Sequence, residues 1–552
     1  MQIWNRICVW LETRENLLLL VLILAHLSPI WVFQYFPSQD GPTHIENANI
    51  IFDYFHPDQA IFREYYILNK NLEPTWLGHL VLAGLMYVMP IFVVEKVFLS
   101  GYIILLPLSI RYALRAIRHD SGFLTLLMFP FIYNYLLHMG FYPFSYSLPV
   151  FFFSMGYWIR YGGQFTLRKT AKLAFLSLLL YFCHMVSLVM AYVGITILTL
   201  WFVFFDLIQD KRVPQFDFQG LWKAFRKRVI PLVLAFSPTI VLVVIFLSKQ
   251  GLESPETGIR RSFYWLFKDL IQIESLVSFQ REESLCFVGL SILFAAIFLY
   301  LAASKIWHKR SDRWDGLLAV VLGYVLIYLF VPNAMSGGSF ITDRLNLYPF
   351  FALVLWFGVQ SYLRSVKRGI MLVAIVITLA SLGLRVLKYS ELNDYLSEYL
   401  SGMHLIQSNT TLLPLAFDSR GHAPAGKVLS LKVRPFLHAS GHIAAQRHIV
   451  EFTNYEAGAF NFFPTIFRSN LNPYDHIGIK DKSIVWEPPQ VDFLTYAERT
   501  GGQVDYVLVW GVQERQRNHE ATKSIYQQIK KGYDLIYTSP RTGLMQLYKR
   551  KN

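Results

Sequence analysis

The sequence predicts a polytopic α-helical membrane protein of about 11 to 13 spans, followed by a small water-soluble α/β region. Two observations carry the first part. Of 552 residues, 54% are hydrophobic and 16% charged, whereas a soluble domain is about one-quarter charged. The apolar residues also fall in blocks close to the roughly 20 residues needed to cross a hydrocarbon core, with 17–33, 288–303, 317–331 and 369–384 the cleanest. The second part rests on texture: after Leu387 charge density becomes ordinary, and short alternating runs replace the long apolar ones.

In chain order, a first helix is expected near 17–35. It follows a basic start, as a signal peptide does, but no small-residue cleavage site precedes the polar run Gln34 to Asp40, so it reads as an uncleaved span. A polar loop, 36–75, comes next. Apolar blocks at 76–113, 122–160, 171–206, 229–248, 284–303, 315–332, 345–362 and 369–387 complete a membrane module over 1–387. The block 76–113 has room for two short spans, or for one span and a re-entrant piece, and Glu95-Lys96 is a candidate turn within it. Over 388–552, Leu412–Phe417, Val504–Trp510, Asp534–Tyr537 and Leu544–Tyr548 read as strands and Glu520–Lys531 as a helix.

The formal charge of +14 sits largely in short loops between apolar blocks, at 160–172, 211–228, 305–313 and 364–368. That is the positive-inside pattern of an inner or plasma membrane protein, and it argues against nucleic acid as a partner. It places 36–75, 249–283, 332–344 and the C-terminal region on the opposite, extracytoplasmic side. The three cysteines, Cys8, Cys183 and Cys286, lie in or near apolar segments, so the C-terminal region carries no disulfide framework.

The first outside loop opens Pro37-Ser38-Gln39-Asp40-Gly41-Pro42-Thr43-His44-Ile45-Glu46-Asn47-Ala48. Gly41-Pro42 signals a turn. Beyond it, Ile45, Ala48, Ile51, Phe52 and Phe55 have helical spacing, which suggests a helix along the membrane surface with Asp40 and His44 at its start. Asp40 also stands where an N-cap would, a role worth about 1 kcal/mol.

This arrangement resembles the GT-C superfamily of membrane glycosyltransferases, which includes protein O-mannosyltransferases, the lipid A aminoarabinose transferase and RgtA-like proteins. In those families an acidic motif opens the first extracytoplasmic loop, interfacial helices follow, and a many-span core often leads to an extracytoplasmic domain. Their familiar motif is Asp-Glu. Here Gly41 holds the second position, so a role for a second acid is unfilled or passes to Glu46.

The resemblance implies transfer of a sugar from a polyprenyl-phosphate donor in the membrane lipid to an extracytoplasmic glycan, lipid or protein acceptor, with inversion. Asp40 is then the expected general base, and His44 and Glu46 are candidates for acceptor or metal contacts. The leaving phosphate needs a cation, and Arg suits phosphate oxygens through its bidentate fork. Arg344, after Gly337-Gly338-Ser339-Phe340-Ile341-Thr342-Asp343 at the outer end of a span, is best placed; a snorkelling anchor paired with Asp343 is the competing reading. Arg63, Lys70, Arg260 and Arg261 are alternatives in the same compartment.

Glu73, Trp76 and His79 open the second apolar block and are candidates for the cavity wall, as are His138 and Tyr142 in the break between two apolar runs. Each has a plainer alternative, as an interfacial aromatic or a hydrogen-bonded core residue. No nucleotide-binding domain is required, because a lipid-linked donor already carries its leaving phosphate, and none is visible. A divalent cation is compatible with the loop, but the sequence holds no complete ligand set, and His438, His442 and His448 lack the Glu of a zincin pattern. Two rivals share the architecture: a flippase or transporter of lipid-linked glycans, and a glycan ligase or polymerase.

Overall fold

Runs too apolar for water become helices, because a backbone in lipid must satisfy its own hydrogen bonds. The computed structural model describes residues 15–209, 218–250, 261–309, 311–335, 337–423 and 426–551; Cys8 and Arg260 lie outside them. The principal helices in the first two-thirds are α1 (Glu15–Val32), α2 (Gly41–Asp53), α3 (Trp76–Met86), α4 (Ile91–Ile117), α5 (Tyr142–Tyr161), α6 (Leu167–Cys183), α7 (Met185–Gln209), α8 (Phe218–Gln250), α9 (Glu283–Trp307), α10 (Gly316–Phe330), α11 (Tyr348–Phe357) and α12 (Arg364–Tyr399). Among the described residues seven of these, α1, α4, α7, α8, α9, α10 and α12, are long and apolar enough to cross a membrane, and α3 is a shorter apolar helix. Their outer faces leave Leu20, Leu24, Val233, Val241, Leu322 and Val376 exposed, as lipid-facing positions require. The protein is membrane-embedded and mostly helical.

The chain turns where proline and glycine dictate. Block 76–113 forms two helices, and the turn lies at Tyr87–Pro90 rather than at Glu95-Lys96. Pro90 has no N–H to lose and caps α4 in an extended conformation. Lys96 is instead inside α4, donating to the Phe33 carbonyl at 2.8 Å. Block 122–160 is broken as well: a 3-10 stretch, His119–Phe131, precedes a short helix, Tyr135–His138, and only then α5. Asn134 caps the short helix through Leu137 N–H, and Gly140, with φ +83°, ends it.

Helix α12 runs 36 residues and passes Leu387 without a break, so the change of texture there occurs within a helix. Arg385 on its inner face is buried and ion-paired to Glu283 of α9 at 2.7 Å, which keeps a charge tolerable inside the bundle. Beyond it lies a five-stranded sheet in the order β3-β2-β5-β7-β6. Its strands are β2 (Thr411–Ala416), β3 (Val450–Glu451), β5 (Tyr506–Trp510), β6 (Tyr533–Thr538) and β7 (Met545–Arg550). β3, β2 and β5 run parallel, and β7 and β6 are antiparallel additions. β5, the central strand, is buried throughout.

The C-terminal region is joined to the first loop by main-chain bonds. β1 (Tyr66–Leu68) pairs with β4 (Thr465–Phe467), Tyr66 opposite Phe467. A further helix, α13 (Gly441–Arg447), packs on α2, and one hydrophobic core runs from α1 and α4 into Phe436, Ile443 and Trp510.

Candidate functional site

Asp40 is held by its backbone. The break between the short helix and α5 lies alongside it: Gln39 N–H donates to the His138 carbonyl at 2.9 Å and Asp40 N–H to the Met139 carbonyl at 3.1 Å. A Cβ on Gly140 would sit 2.3 Å from Gly41 N, and one on Gly441 would sit 2.6 Å from the Pro42 carbonyl oxygen. The turn 40–42 is thus enclosed between the membrane helices and α13 by two glycines.

The Asp40 side chain does not cap α2. It stands at the N-cap position without a capping hydrogen bond, and its Oδ1 accepts instead from Gln39 Nε2 at 3.0 Å. Tyr455 lies within hydrogen-bonding reach of the carboxylate, and His438 Nε2 is 3.9 Å away. Burial pushes the carboxyl up to about 7 against the opposing Gln39 and Tyr455 hydrogen bonds, with Glu456 adding repulsion and Arg344 a weaker attraction. Burial also holds His438 down to about 3, so it stays neutral beside the acid.

Tyr455 links this acid to an apolar cavity of about 380 Å³, whose wall includes Phe141, Val189, Phe246, Ile327, Tyr455 and Phe463 but not Asp40 itself. Arg344 is on the same wall, in the short helix Ile341–Leu345. Its guanidinium lies 4.5 Å from the Phe141 ring centre, bonds the Ser339 carbonyl, and leaves Nε buried without a partner. Burial lowers it to about 10, and it stays protonated. No ion pair joins it to Asp343 among the described residues, so a paired anchor is not what the geometry presents.

His44, on the first turn of α2, also reaches the cavity wall, and beside it three groups converge. Its Nδ1 is 2.9 Å from His79 Nε2 and 3.0 Å from Glu456 Oε1, while His79 Nε2 is 2.9 Å from Glu456 Oε2. All three side chains are buried. Burial holds His44 down to about 4. Burial alone favours the neutral Glu456 acid, but the His44 and His79 rings and hydrogen bonds from His79 and Asn47 outweigh it and leave the carboxyl below its usual value.

The other expected residues are distributed around this centre. Glu46 is buried against Glu451 rather than on the cavity wall; burial and that second acid raise its carboxyl well above the usual range. Glu73 is buried 3.6 Å from Lys249, and Trp76 donates to the Phe462 carbonyl at 3.2 Å. His138 spends its ring nitrogens on Ser278 and Tyr389, a core role. The Tyr142 hydroxyl donates to Glu95 at 2.5 Å, and its ring stacks on His44. Arg63 is tied to the Tyr54 and His56 carbonyls, Lys70 is exposed, and Arg261 pairs with Asp269 at 2.7 Å. Of the basic candidates described, Arg344 is the one on the cavity wall.

Sequence reasoning missed the contribution of 454–463. Tyr455, Glu456, Phe460, Phe462 and Phe463 close the cavity from the C-terminal side. The available signal was Phe460-Asn461-Phe462-Phe463-Pro464, an aromatic cluster in otherwise soluble texture.

No known family model matches the chain, and no curated protein does so significantly.

Proposed function

We propose that the protein is a glycosyltransferase of the GT-C type that uses a polyprenyl-phosphate sugar. One observation carries the reading: a buried acid of raised pKa, Asp40, stands beside an apolar cavity whose wall holds a buried guanidinium, Arg344. The cavity suits a lipid tail, and the two charged groups suit the two ends of an inverting displacement.

Asp40 takes the proton of the acceptor hydroxyl as its oxygen bonds the sugar's anomeric carbon. The bond from that carbon to the phosphate oxygen breaks, and the polyprenyl phosphate departs with the electron pair. Arg344 stabilises the charge that grows on the phosphate. The acceptor is an extracytoplasmic glycan, lipid or protein. The cavity end of the bundle is then extracytoplasmic, together with the C-terminal region. Supporting this, α9 starts beside that region, where Leu431 N–H bonds the Phe279 carbonyl at 2.9 Å, and ends among Lys305, Lys309 and Arg313, a basic cluster that stays cytoplasmic.

The test is consumption of labelled polyprenyl-phosphate monosaccharides by purified protein in liposomes, with a membrane extract as acceptor. Wild type should release polyprenyl phosphate and label the extract, and Asp40→Asn should not. Movement of intact donor across the bilayer without its consumption would overturn the reading in favour of a flippase.

A further inference from the structure

The short contacts among His44, His79 and Glu456 cannot all be hydrogen bonds. If both ring nitrogens point N–H groups at an ionised carboxylate, donor faces donor across the 2.9 Å between the rings. If either nitrogen carries a lone pair there, that lone pair faces a carboxylate oxygen. Glu456 Oε1 accordingly has no well-formed hydrogen bond despite lying 3.0 Å from His44 Nδ1. A buried polar group left in this state is costly.

We infer that His44, His79 and Glu456 form a binding site for one divalent transition-metal ion. A cation at the centre turns every conflicting contact into a ligand bond. Two imidazoles and one carboxylate suit zinc and its neighbours rather than magnesium or calcium, which prefer oxygen alone. Bond lengths of about 2.0–2.2 Å place tetrahedral ligands roughly 3.3 Å apart. The two nitrogens, 2.9 Å apart, need open by only a few tenths of an ångström, and each lies within 3.0 Å of one of the two Glu456 oxygens.

Outer contacts hold two of the three ligands, while His79 Nδ1 is buried without a partner. Asn47 Nδ2 donates to Glu456 Oε2 at 2.7 Å, and the Gly140 backbone lies within hydrogen-bonding reach of His44. His44 and Glu456 are both on the cavity wall, which leaves the ion's remaining coordination position on the cavity side, open to an oxygen ligand. The three ligands come from α2, α3 and the C-terminal region, so the ion also pins that region to the membrane helices. The inference stands on these contacts whether or not the chain transfers sugar.

The experiment uses the full chain in detergent, stripped with chelator and titrated with Zn²⁺ or Co²⁺ alone. The result expected is one ion per chain by elemental analysis, with the visible bands of low-symmetry Co²⁺. His44→Ala, His79→Ala and Glu456→Gln should each lose the stoichiometric ion and the Co²⁺ bands. His438→Ala, nearby but outside the triad, should keep both. Asn47→Ala should keep one ion per chain with affinity reduced about 10- to 100-fold. Melting curves of the stripped proteins separate misfolding from ligand loss, since Glu456→Gln preserves shape. Wild type that folds but holds no stoichiometric ion, or triad variants that bind as well as wild type, would overturn the site.

Discussion

A Cβ on Gly41 would lie 2.2 Å from the Tyr142 hydroxyl oxygen, and equally close to Ser38 Oγ. The Tyr142 hydroxyl is itself tied to Glu95, so it has little freedom to retreat. There is thus no room for a side chain at position 41. Gly41→Ala should destabilise the protein by about 1–3 kcal/mol, the usual cost of overpacking, and Gly41→Glu by more. Thermal unfolding in detergent measures this, and an unshifted melting temperature for Gly41→Ala would show that the packing is looser than described.

Because Asp40 makes no capping bond, replacing its carboxylate by an amide removes no support from α2. Asp40→Asn should insert and fold with α2 intact. As the base it should lose about 10²- to 10⁴-fold in transfer rate. Initial rate per folded enzyme is the measurement; a stable variant with near-normal turnover would remove Asp40 from the mechanism.

Arg344 discriminates charge from fork. Arg344→Ala loses both, Arg344→Lys only the fork, and a contact to a charged group is worth about 1.5–3 kcal/mol. Donor affinity should fall about 10- to 150-fold in the alanine variant and less in the lysine one. Equal, wild-type donor dependence in both would assign the guanidinium to the Phe141 ring and the Ser339 carbonyl alone.

What could be read in the chain followed what the chain encodes locally. Long apolar runs gave helices, and β2, β5, β6 and β7 fell within two or so residues of the expected strands. β1, β3 and β4, each two or three residues long, exist through pairing, and Tyr66 meets Phe467 across 400 residues of chain. The site divides the same way. Asp40, His44 and Arg344 were legible because loop starts and span ends position them. Glu456 was not, since only tertiary closure brings it to His44. Polarity inside an apolar run marked His138, but the same signal serves a satisfied core residue, and its bonds to Ser278 and Tyr389 are of that kind.

Asp40 faces Gln39 on its own segment, His438, Tyr455 and Glu456 from the C-terminal region, and Arg344 from the short helix before α11. Burial dominates and raises the carboxyl from 3.8 to about 7. As a base the group must be ionised, so kcat/KM should rise tenfold per pH unit below about 7 and level off above it. Stability should move the other way. Between 3.8 and about 7 the native state binds a proton that the unfolded state has released, so this group's contribution falls as pH rises through that window and is flat above it. A shift of about three units corresponds to on the order of 4 kcal/mol. Asp40→Asn lacks the titration, so its stability relative to wild type should increase from pH 5 to pH 8 while its residual rate loses the limb near 7. Parallel stability profiles for the two proteins would mean that Asp40 is ionised throughout this range, and the limb would then belong to another group.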